Sequence, residues 1–261
     1  MHAPPLRWEL GPVARIVLCR PDKQNAMTAE MGELMLRAVA ELDAAAAPRV
    51  VLIEGEGRAF CAGGDFDVIA QNAARTPEEN RAGMLRFYGA FLSVTRLRVP
   101  TIAVIHGAAV GAGLGLAMAC DLRLAAREAK LGANFVRVGL HPGMGASLLL
   151  PRLVGAAKAA ELIFGGGLIT GEEAERIGLV NAAVPRSELR ALVDAHAARI
   201  ASAAPIAVMQ AKATLAAPLR RELDQALAHE AAAQALGFAT RDLREAVAAF
   251  REARAPRFEG K

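Results

Sequence analysis

The sequence predicts an α/β fold, and three observations favour that class. Two glycine-rich turns, at residues 60–65 and 106–121, each follow an apolar run typical of a buried strand and lead into a predicted helix. Strand and helix patterns alternate as far as residue 186, after which the patterns are helical only. Apolar residues make up 54% of the 261 residues, which is ample for one large domain or a domain with an appendage.

The first predicted elements are a hairpin, a helix and a strand. Residues 6–10 and 13–19 flank Gly11-Pro12, which is typical of a hairpin turn. Thr28 is the predicted N-cap of the helix, and residues 50–54 form the next strand before the first glycine turn. The buried face of the helix is predicted at Met31, Leu34, Met35, Ala38 and Leu42.

The middle of the chain repeats the order of strand, turn and helix. Residues 68–94 are predicted to be helical, with an interruption near Thr76-Pro77. Residues 101–105 form a strand, the second glycine turn opens a helix that ends at Cys120, and residues 122–126 form another strand.

The C-terminal third begins with a predicted capping box at Thr170 and Glu173, in which each side chain bonds the other residue's backbone N–H. Residues 179–184 then read as a strand. Beyond Ser187 only helices are predicted, and Pro205 and Pro218 divide them. This pattern predicts a core at 1–186 and a helical appendage at 187–261.

Charge and cysteine content exclude several classes of protein. The formal net charge of +4 contains no block of like charges, so nucleic acid is not an expected partner. The excess of positive charge either aids solubility or attracts polyanions such as phosphates. Cys19, Cys61 and Cys120 are odd in number and fit no metal motif, so we expect no metal site and reduced cytosolic thiols.

Two hydrophobicity patterns bear on location. Residues 1–10 contain no apolar run, and the longest apolar stretch, 101–120, is broken by His106 and by glycines. The sequence therefore predicts no signal peptide, no membrane association and a cytoplasmic location.

A family resemblance covers about residues 15–258. It is carried by the two glycine turns and by the runs at 20–27, 141–145, 168–174 and 248–254. In this order and spacing they resemble the crotonase (enoyl-CoA hydratase/isomerase) superfamily. The resemblance implies a spiral of ββα units that binds acyl-CoA, here 1–186, and a C-terminal helical region, 187–261, that forms homotrimers, often paired as hexamers. An amphipathic tail can instead simply cap its own domain.

The resemblance places an oxyanion hole at the backbone N–H groups of Gly64 and Ala112. The family usually has glycine at position 112; alanine keeps the N–H but adds a methyl group that demands a negative φ. Such donors stabilise a developing oxyanion. The alternative interpretation is that the glycines of both turns serve tight packing between strand and helix. A dinucleotide fingerprint is rejected, because its third glycine would fall on Leu116.

The implied ligand is an acyl-CoA or enoyl-CoA thioester, with coenzyme A as part of the substrate and no separate cofactor. The resemblance assigns one wall of the carrier track to 62–66 and the other to 23–26, with Phe250 covering a neighbour's pocket. Phe250 can equally be ordinary helix packing. The assigned contact residues are Lys23, Gln24, Ala26, Ala62, Gly64, Asp65, Phe66 and Phe250.

The two glutamates that the family's hydratases use as acid and base fall on Gly115 and Phe135. Neither residue is ionisable, so ordinary hydratase activity is not expected. Because the oxyanion hole is predicted to be intact, the pair G115E and F135E is expected to restore hydration. His141 is the first remaining candidate for proton transfer, since imidazole titrates near neutrality. It can instead bond a backbone carbonyl.

Three functions remain open. The first is an acyl-CoA-binding member of the superfamily that polarises a thioester carbonyl and carries out an enolate reaction. The second is a protein that binds acyl-CoA without turning it over. The third is an assembly role for the helical tail alone. Tyr88 is a secondary candidate for proton transfer, Asp65 is expected to support the turn and not to transfer protons, and Asn134 can orient a water molecule but not deprotonate it.

Overall fold

Strands and helices alternate through most of the chain, in a computed structural model that describes residues 4–261. The strands are β1 (Leu6–Glu9), β2 (Val13–Leu18), β3 (Val50–Gly55), β4 (Ala59–Cys61), β5 (Thr101–Ile105), β6 (Ala108–Val110), β7 (Leu122–Ala126), β8 (Lys130–Gly132), β9 (Ile169–Thr170) and β10 (Ala182–Val184). The predicted α/β class is confirmed.

The helices are α1 (Ala29–Ala44), α2 (Phe66–Asn72), α3 (Pro77–Phe91), α4 (Ala112–Ala119), α5 (Ala146–Val154), α6 (Ala156–Gly165), α7 (Gly171–Arg176), α8 (Arg186–Ala201), α9 (Pro205–Phe238) and α10 (Arg241–Arg251). Short 3₁₀ helices occupy Pro21–Lys23, Leu92–Arg96 and Asn134–Val138.

The strands are divided between two sheets, and consecutive strands alternate between them through the middle of the chain. The larger sheet has the order β1-β2-β3-β5-β7-β10 and is parallel except for the β1–β2 hairpin. The smaller sheet has the order β4-β6-β8-β9, with only β9 antiparallel. In β3–β4, β5–β6 and β7–β8 the first strand joins the larger sheet and the second joins the smaller one. This repeat is the predicted spiral of ββα units.

Burial explains why these segments fold as they do. All five residues of β5 are buried, as expected for a parallel strand covered on both faces. The predicted face of α1 is confirmed, since Met31, Met35, Ala38 and Leu42 are buried, and the Thr28 side chain accepts the Met31 N–H. Helix α4 is buried at all eight positions and packs against β4 and β6 of the smaller sheet, α5 and the 3₁₀ helix at Leu92–Arg96.

Three local predictions are wrong. The strand predicted at 179–184 is confined to β10, because the N–H groups of Leu179 and Val180 both donate to Ala174 O and close α7. The capping box at Thr170 is half formed: Thr170 accepts the Glu173 N–H, but the Glu173 carboxylate pairs with Arg176 at 3.5 Å.

The third wrong prediction concerns Pro218, which does not divide two helices. It lies inside α9, a continuous helix of 34 residues that begins with Pro205. Long helices tolerate an internal proline when tertiary packing offsets the lost hydrogen bond, and α9 is packed against α3 and α5.

The three C-terminal helices contact the rest of their own chain. Helix α8 lies on β7, α9 packs along α3 and α5, and α10 contacts α2 and the 3₁₀ helix at Asn134–Val138. The division into 1–186 and 187–261, and an oligomer built by the tail, stay predictions.

A search of residues 4–261 finds no single helix long and apolar enough to cross a membrane. By length and composition only, α8 and α9 taken together are long and apolar enough to span a membrane. The two helices meet at a bend of 105°.

Candidate active site

An apolar cavity lies where the two glycine turns meet α2, α3 and α9. Its empty space, open mouth included, is about 730 Å³. Such a concave apolar space with a few polar groups is typical of a site for a small organic ligand. Its apolar side chains include Met27, Val68, Ile69, Met84, Phe87, Phe135, Val138, Leu140, Met144 and Phe238.

Gly64 presents its backbone at one wall of this cavity. A single parallel bridge joins it to Met27, which donates its N–H to Gly63 O at 2.8 Å and accepts the Asp65 N–H at 3.1 Å. The hydrogen bonds of this bridge are therefore made by Gly63 and Asp65. Within residues 4–261 the Gly64 N–H has no protein acceptor. Gly63 makes the turn with φ 102°, a conformation that favours glycine.

Ala112 presents the second backbone N–H. It is the first residue of α4, whose N-cap is Gly111 with φ 54°. The first N–H groups of a helix have no intrahelical acceptor, and that of Ala112 has none elsewhere in the described chain. The positive φ belongs to Gly111 and not to Ala112, so the methyl group is accommodated without strain. Gly111 donates to Gly132 O at 2.8 Å, which fixes the turn.

The two turns are in direct contact. A Cβ on Gly63 would lie 2.8 Å from Val110 O and 3.5 Å from Ala112 N, so only glycine fits there. Gly64 and Ala112 both line the cavity. Two unpaired N–H groups on adjacent backbone segments are suited to one anionic oxygen. Their convergence on a thioester carbonyl stays a prediction.

Asp65 supports the first turn. Its Oδ1 accepts the Asp67 N–H at 3.0 Å and so caps α2, while its Oδ2 accepts two bonds from the Arg20 guanidinium, each at 3.0 Å. Asp65 also lines the cavity. Because its oxygens are already engaged, the carboxylate is poorly placed to transfer protons.

The run at 23–26 lies beside the first turn, as the resemblance implied. Gln24 O accepts the Ala62 N–H at 3.0 Å, and the buried Asn25 amide donates to Ala59 O at 2.8 Å. Lys23 is exposed and Ala26 is half-buried. The contacts of these residues with a carrier stay predictions.

Phe66 and Phe250, two residues assigned to the carrier, meet within one chain. Their rings are stacked with centroids 3.9 Å apart and an interplanar angle of 6°. Phe66 is the first residue of α2, and Phe250 on α10 is 60% exposed. The predicted contact of Phe250 with a neighbour's pocket stays a prediction.

Met144 fills the space beside Gly115. A Cβ on Gly115 would lie 2.3 Å from the Met144 Cβ, and Met144 is 1% exposed. Phe135, the other non-acidic replacement, lines the cavity. This packing argues against the expectation that G115E with F135E restores hydration, because any side chain at position 115 requires Met144 to move; the expectation itself stays a prediction.

Asp65 and Tyr88 are the ionisable residues among those that line the cavity in the described chain. Tyr88 is 1% exposed and donates its hydroxyl to Gln234 Oε1 at 2.8 Å. Burial, together with the nearby Glu230 carboxyl, raises the pKa of Tyr88, so the phenol stays protonated at neutral pH. No group of three or more His, Cys, Asp or Glu in residues 4–261 is placed to hold a metal ion.

His141 is not among the residues that line this cavity in the described chain. Its Nδ1 lies 2.7 Å from Pro142 O, and its ring packs edge-on to that of His229 with centroids 5.7 Å apart. The bond to a backbone carbonyl is the alternative that the sequence left open. A catalytic role for His141 stays a prediction.

Two polar residues of α9 beside the cavity were not predicted. Gln234 lines the cavity and donates to His141 O at 2.7 Å. Glu230 is fully buried and accepts bonds from Gly145 N, Ser147 N and Ser147 Oγ. Burial raises the pKa of Glu230 against the effect of these three donors. The sequence signal for Glu230 and Gln234 is their spacing, since residues four apart lie on one face of a helix.

Comparison with known proteins agrees with the fold and identifies the family. The family described as Enoyl-CoA hydratase/isomerase matches residues 10–261. Crotonyl-CoA hydratase of Syntrophomonas wolfei subsp. wolfei is 35% identical over 250 residues, which is 95% of each chain. Enoyl-CoA hydratase domain-containing protein 2, mitochondrial, of Mus musculus is 37% identical over 256 residues, 95% of this chain and 85% of the relative.

A solved structure supports the same family and the same fold. The crystal structure of an enoyl-CoA hydratase from Mycobacterium avium subsp. paratuberculosis K-10 has a TM-score of 0.86 and 30% identity, and the match covers 98% of both chains. The chain belongs to the enoyl-CoA hydratase/isomerase family, within the crotonase superfamily.

Proposed function

We propose that this chain binds an acyl-CoA or enoyl-CoA thioester with its carbonyl oxygen between the N–H groups of Gly64 and Ala112. The observation that carries the proposal is the pair of unpaired amides at the wall of one apolar cavity. The name of the Syntrophomonas relative, a crotonyl-CoA hydratase, supports a CoA thioester as the ligand class.

The two amides act by polarising the carbonyl. Donors that are fixed before the reaction stabilise the negative charge that develops on oxygen when a proton leaves the α-carbon, and one such donor is typically worth about 3 kcal/mol. The apolar lining strengthens this effect because it excludes water. The backbone at Gln24 and Ala62 borders the path proposed for the carrier.

Ordinary hydration is not the proposed reaction. Positions 115 and 135 carry no carboxylate, the Asp65 carboxylate is held by Arg20, and Tyr88 is protonated. An enolate reaction that begins with exchange of an α-proton is the proposed activity, with His141 or a group on the substrate as the base.

Binding without turnover is the second candidate function. It is favoured by the lack of a free base among the cavity-lining residues of the described chain. A protein of this kind has an intact carbonyl-binding site and no group to move the proton.

Replacement of Ala112 by proline tests the proposed site directly. Proline is well tolerated at the first position of a helix, and its ring Cδ takes the place of the N–H in question. The matched control is A112G, which keeps the N–H. We expect A112P to weaken butyryl-CoA binding about 3- to 10-fold, the usual worth of one hydrogen bond, and A112G to leave it unchanged.

Two further measurements complete the experiment. S-butyl-CoA, the thioether without a carbonyl, should bind both variants equally. Exchange of α-protons of butyryl-CoA into D₂O, followed by NMR, should fall about 100-fold in A112P if the chain is catalytic. No exchange in the natural chain favours binding without turnover. Equal butyryl-CoA affinity of A112P and A112G would contradict the proposed carbonyl site.

A further inference from the structure

Asn134 carries an unpaired amide on the wall of the cavity. It is the first residue of the 3₁₀ helix at Asn134–Val138, it lines the cavity, and its half-buried side chain forms no hydrogen bond within residues 4–261. In that range the fully enclosed side-chain atoms without a partner are the Oδ1 atoms of Asn72 and Asn80. The unpaired amide of Asn134 is therefore accessible to solvent, and so to a ligand in the cavity.

The other polar side chains on the cavity wall are occupied or inaccessible. Both carboxylate oxygens of Asp65 accept hydrogen bonds from the protein. Tyr88 donates to Gln234 Oε1 at 2.8 Å, and the Gln234 amide nitrogen donates to a backbone oxygen at 2.7 Å. Asn72 is 3% exposed. Among the described residues that line the cavity, Asn134 therefore has the side chain best placed to donate a hydrogen bond to a ligand.

The Asn134 amide lies beside the second glycine turn. A Cβ on Gly111 would lie 3.2 Å from Asn134 Oδ1, and Ala112 is the next residue in the chain. Standard backbone dimensions put such a Cβ within about 4 Å of the next nitrogen, so Asn134 Oδ1 is at most about 7 Å from Ala112 N. If the thioester oxygen accepts the Ala112 N–H, the Asn134 amide faces the part of the acyl group next to the thioester.

A second oxygen in this part of the ligand would pair with the amide. In a 3-oxoacyl thioester the C1 and C3 oxygens are four bonds apart, which places them about 3–5 Å from each other. One oxygen then accepts from the N–H groups of Gly64 and Ala112 while the other accepts from Asn134 Nδ2. Rotation about the last side-chain bond exchanges the amide oxygen and nitrogen, so the donor can face the ligand.

The same ligand class is compatible with a cavity that has no free carboxylate base. A C2 proton between two carbonyl groups is far more acidic than the C2 proton of a plain thioester, so a base as weak as imidazole or water is sufficient. When that proton moves to the base, the C–H electron pair is shared by the C1 and C3 oxygens. Donors that face both oxygens stabilise this charge better than donors that face one.

We infer that the chain prefers a 3-oxoacyl thioester, and that Asn134 Nδ2 donates a hydrogen bond to its C3 oxygen. This inference rests on the proposed function, because the amides of Gly64 and Ala112 fix the position of the C1 oxygen.

Acetoacetyl-CoA and butyryl-CoA test the preference, because their acyl chains have the same length and differ only in the C3 oxygen. In calorimetric titrations of the natural chain, we expect acetoacetyl-CoA to bind about 3- to 10-fold more tightly. N134L removes the donor at similar side-chain size and should abolish the preference. The matched control V138A changes an apolar lining residue of the same 3₁₀ helix and should keep it.

Ionisation of the bound acetoacetyl-CoA gives a second readout, since its enolate absorbs in the near ultraviolet. Loss of a hydrogen bond to the charged enolate should raise the pKa of the bound ligand by about 1–2 pH units in N134L. N134D keeps the shape of the side chain, but its carboxylate donates no hydrogen bond and repels the enolate, so the pKa should rise at least as far. V138A should leave it unchanged.

The outcomes separate this inference from the proposed function. If neither ligand binds to the natural chain, the proposed function fails. If both ligands bind equally, and N134L changes neither affinity nor the pKa of the bound ligand, the inference is overturned while the proposed function stands. Equal weakening of both ligands by N134L would also overturn it, because the role of Asn134 would then be structural.

Discussion

At the scale of single residues, the candidate carbonyl site is built from backbone and framed by side chains. Gly63 and Gly111 supply positive φ values, so the next residues in the chain, Gly64 and Ala112, present free N–H groups. Because these two turns carry short, recognisable patterns, the sequence was sufficient to predict them. The same is true of Asp65, whose N-cap role follows from its place before α2.

The rest of the site depends on contacts that are distant in sequence. Glu230 bonds Gly145 across 85 positions, Gln234 bonds His141 across 93, and Met144 occupies the space beside Gly115. The spacing of Glu230 and Gln234 indicates only that they share a helix face; their partners are not encoded locally, because the pairings arise only when α9 and α4 pack against the loop before α5. These residues could therefore not be assigned from the sequence.

The packing of Met144 on Gly115 leads to a residue-level prediction. The double variant G115E and F135E should have an unfolding free energy about 1–3 kcal/mol lower than that of F135E alone through overpacking, and it should not hydrate crotonyl-CoA. M144G should cost less stability in this double variant than in the natural chain, because there it also removes the Cβ with which position 115 collides. Urea unfolding and loss of enoyl-thioester absorbance measure the two effects.

F135E alone is the control for charge burial without the collision. Should the double variant be as stable as F135E alone, the packing of Met144 would not be what excludes a side chain from position 115.

At the scale of elements, α9 contains an internal proline. Pro218 cannot donate to Thr214 O, and the Thr214 hydroxyl bonds back to Gln210 O at 3.1 Å. An interior proline costs a helix about 3 kcal/mol, and part of that is offset by the stiffer unfolded chain. We therefore expect P218A to raise the unfolding free energy by about 2 kcal/mol, measured by urea denaturation.

Pro205 provides a matched control in the same helix. It occupies the first helical position, where an N–H has no acceptor in any case, so P205A should not raise stability. A gain in P205A equal to that in P218A would show that the gain in P218A does not come from restoring the hydrogen bond to Thr214 O.

Most elements could be predicted from local patterns, and the exceptions have physical causes. The hairpin, α1, β5 and β7 follow from turn residues and apolar periodicity. Leu179 and Val180 are apolar enough for a strand, but their N–H groups close α7 by donating to Ala174 O. Pro218 predicts a helix break only if tertiary packing is ignored, and the contact of α9 with α3 overrides it.

At the scale of the whole molecule, the long helix α9 exposes several large apolar side chains. Ile206, Leu215 and Leu236 are 67%, 81% and 68% exposed. Apolar surface of this kind on a C-terminal helix favours the predicted association of the tail with other copies of the chain.

We therefore expect the purified chain to have a mass of about 82 kDa, three times the 27.3 kDa of one chain, or twice that value for a hexamer. Multi-angle light scattering over a dilution series measures it. A mass of one chain at every concentration would contradict the predicted oligomer, and the tail would then serve only to cap its own core.

The uneven burial of the cavity walls has an evolutionary consequence. The helix that begins with Ala112 is enclosed on every side, whereas α2 has a single buried residue and α3 only a few. Substitutions that would displace Ala112 therefore destabilise the whole fold, while substitutions in α2 and α3 cost little stability. Selection can diversify the range of accepted acyl groups through α2 and α3 without disturbing the atoms that hold the carbonyl.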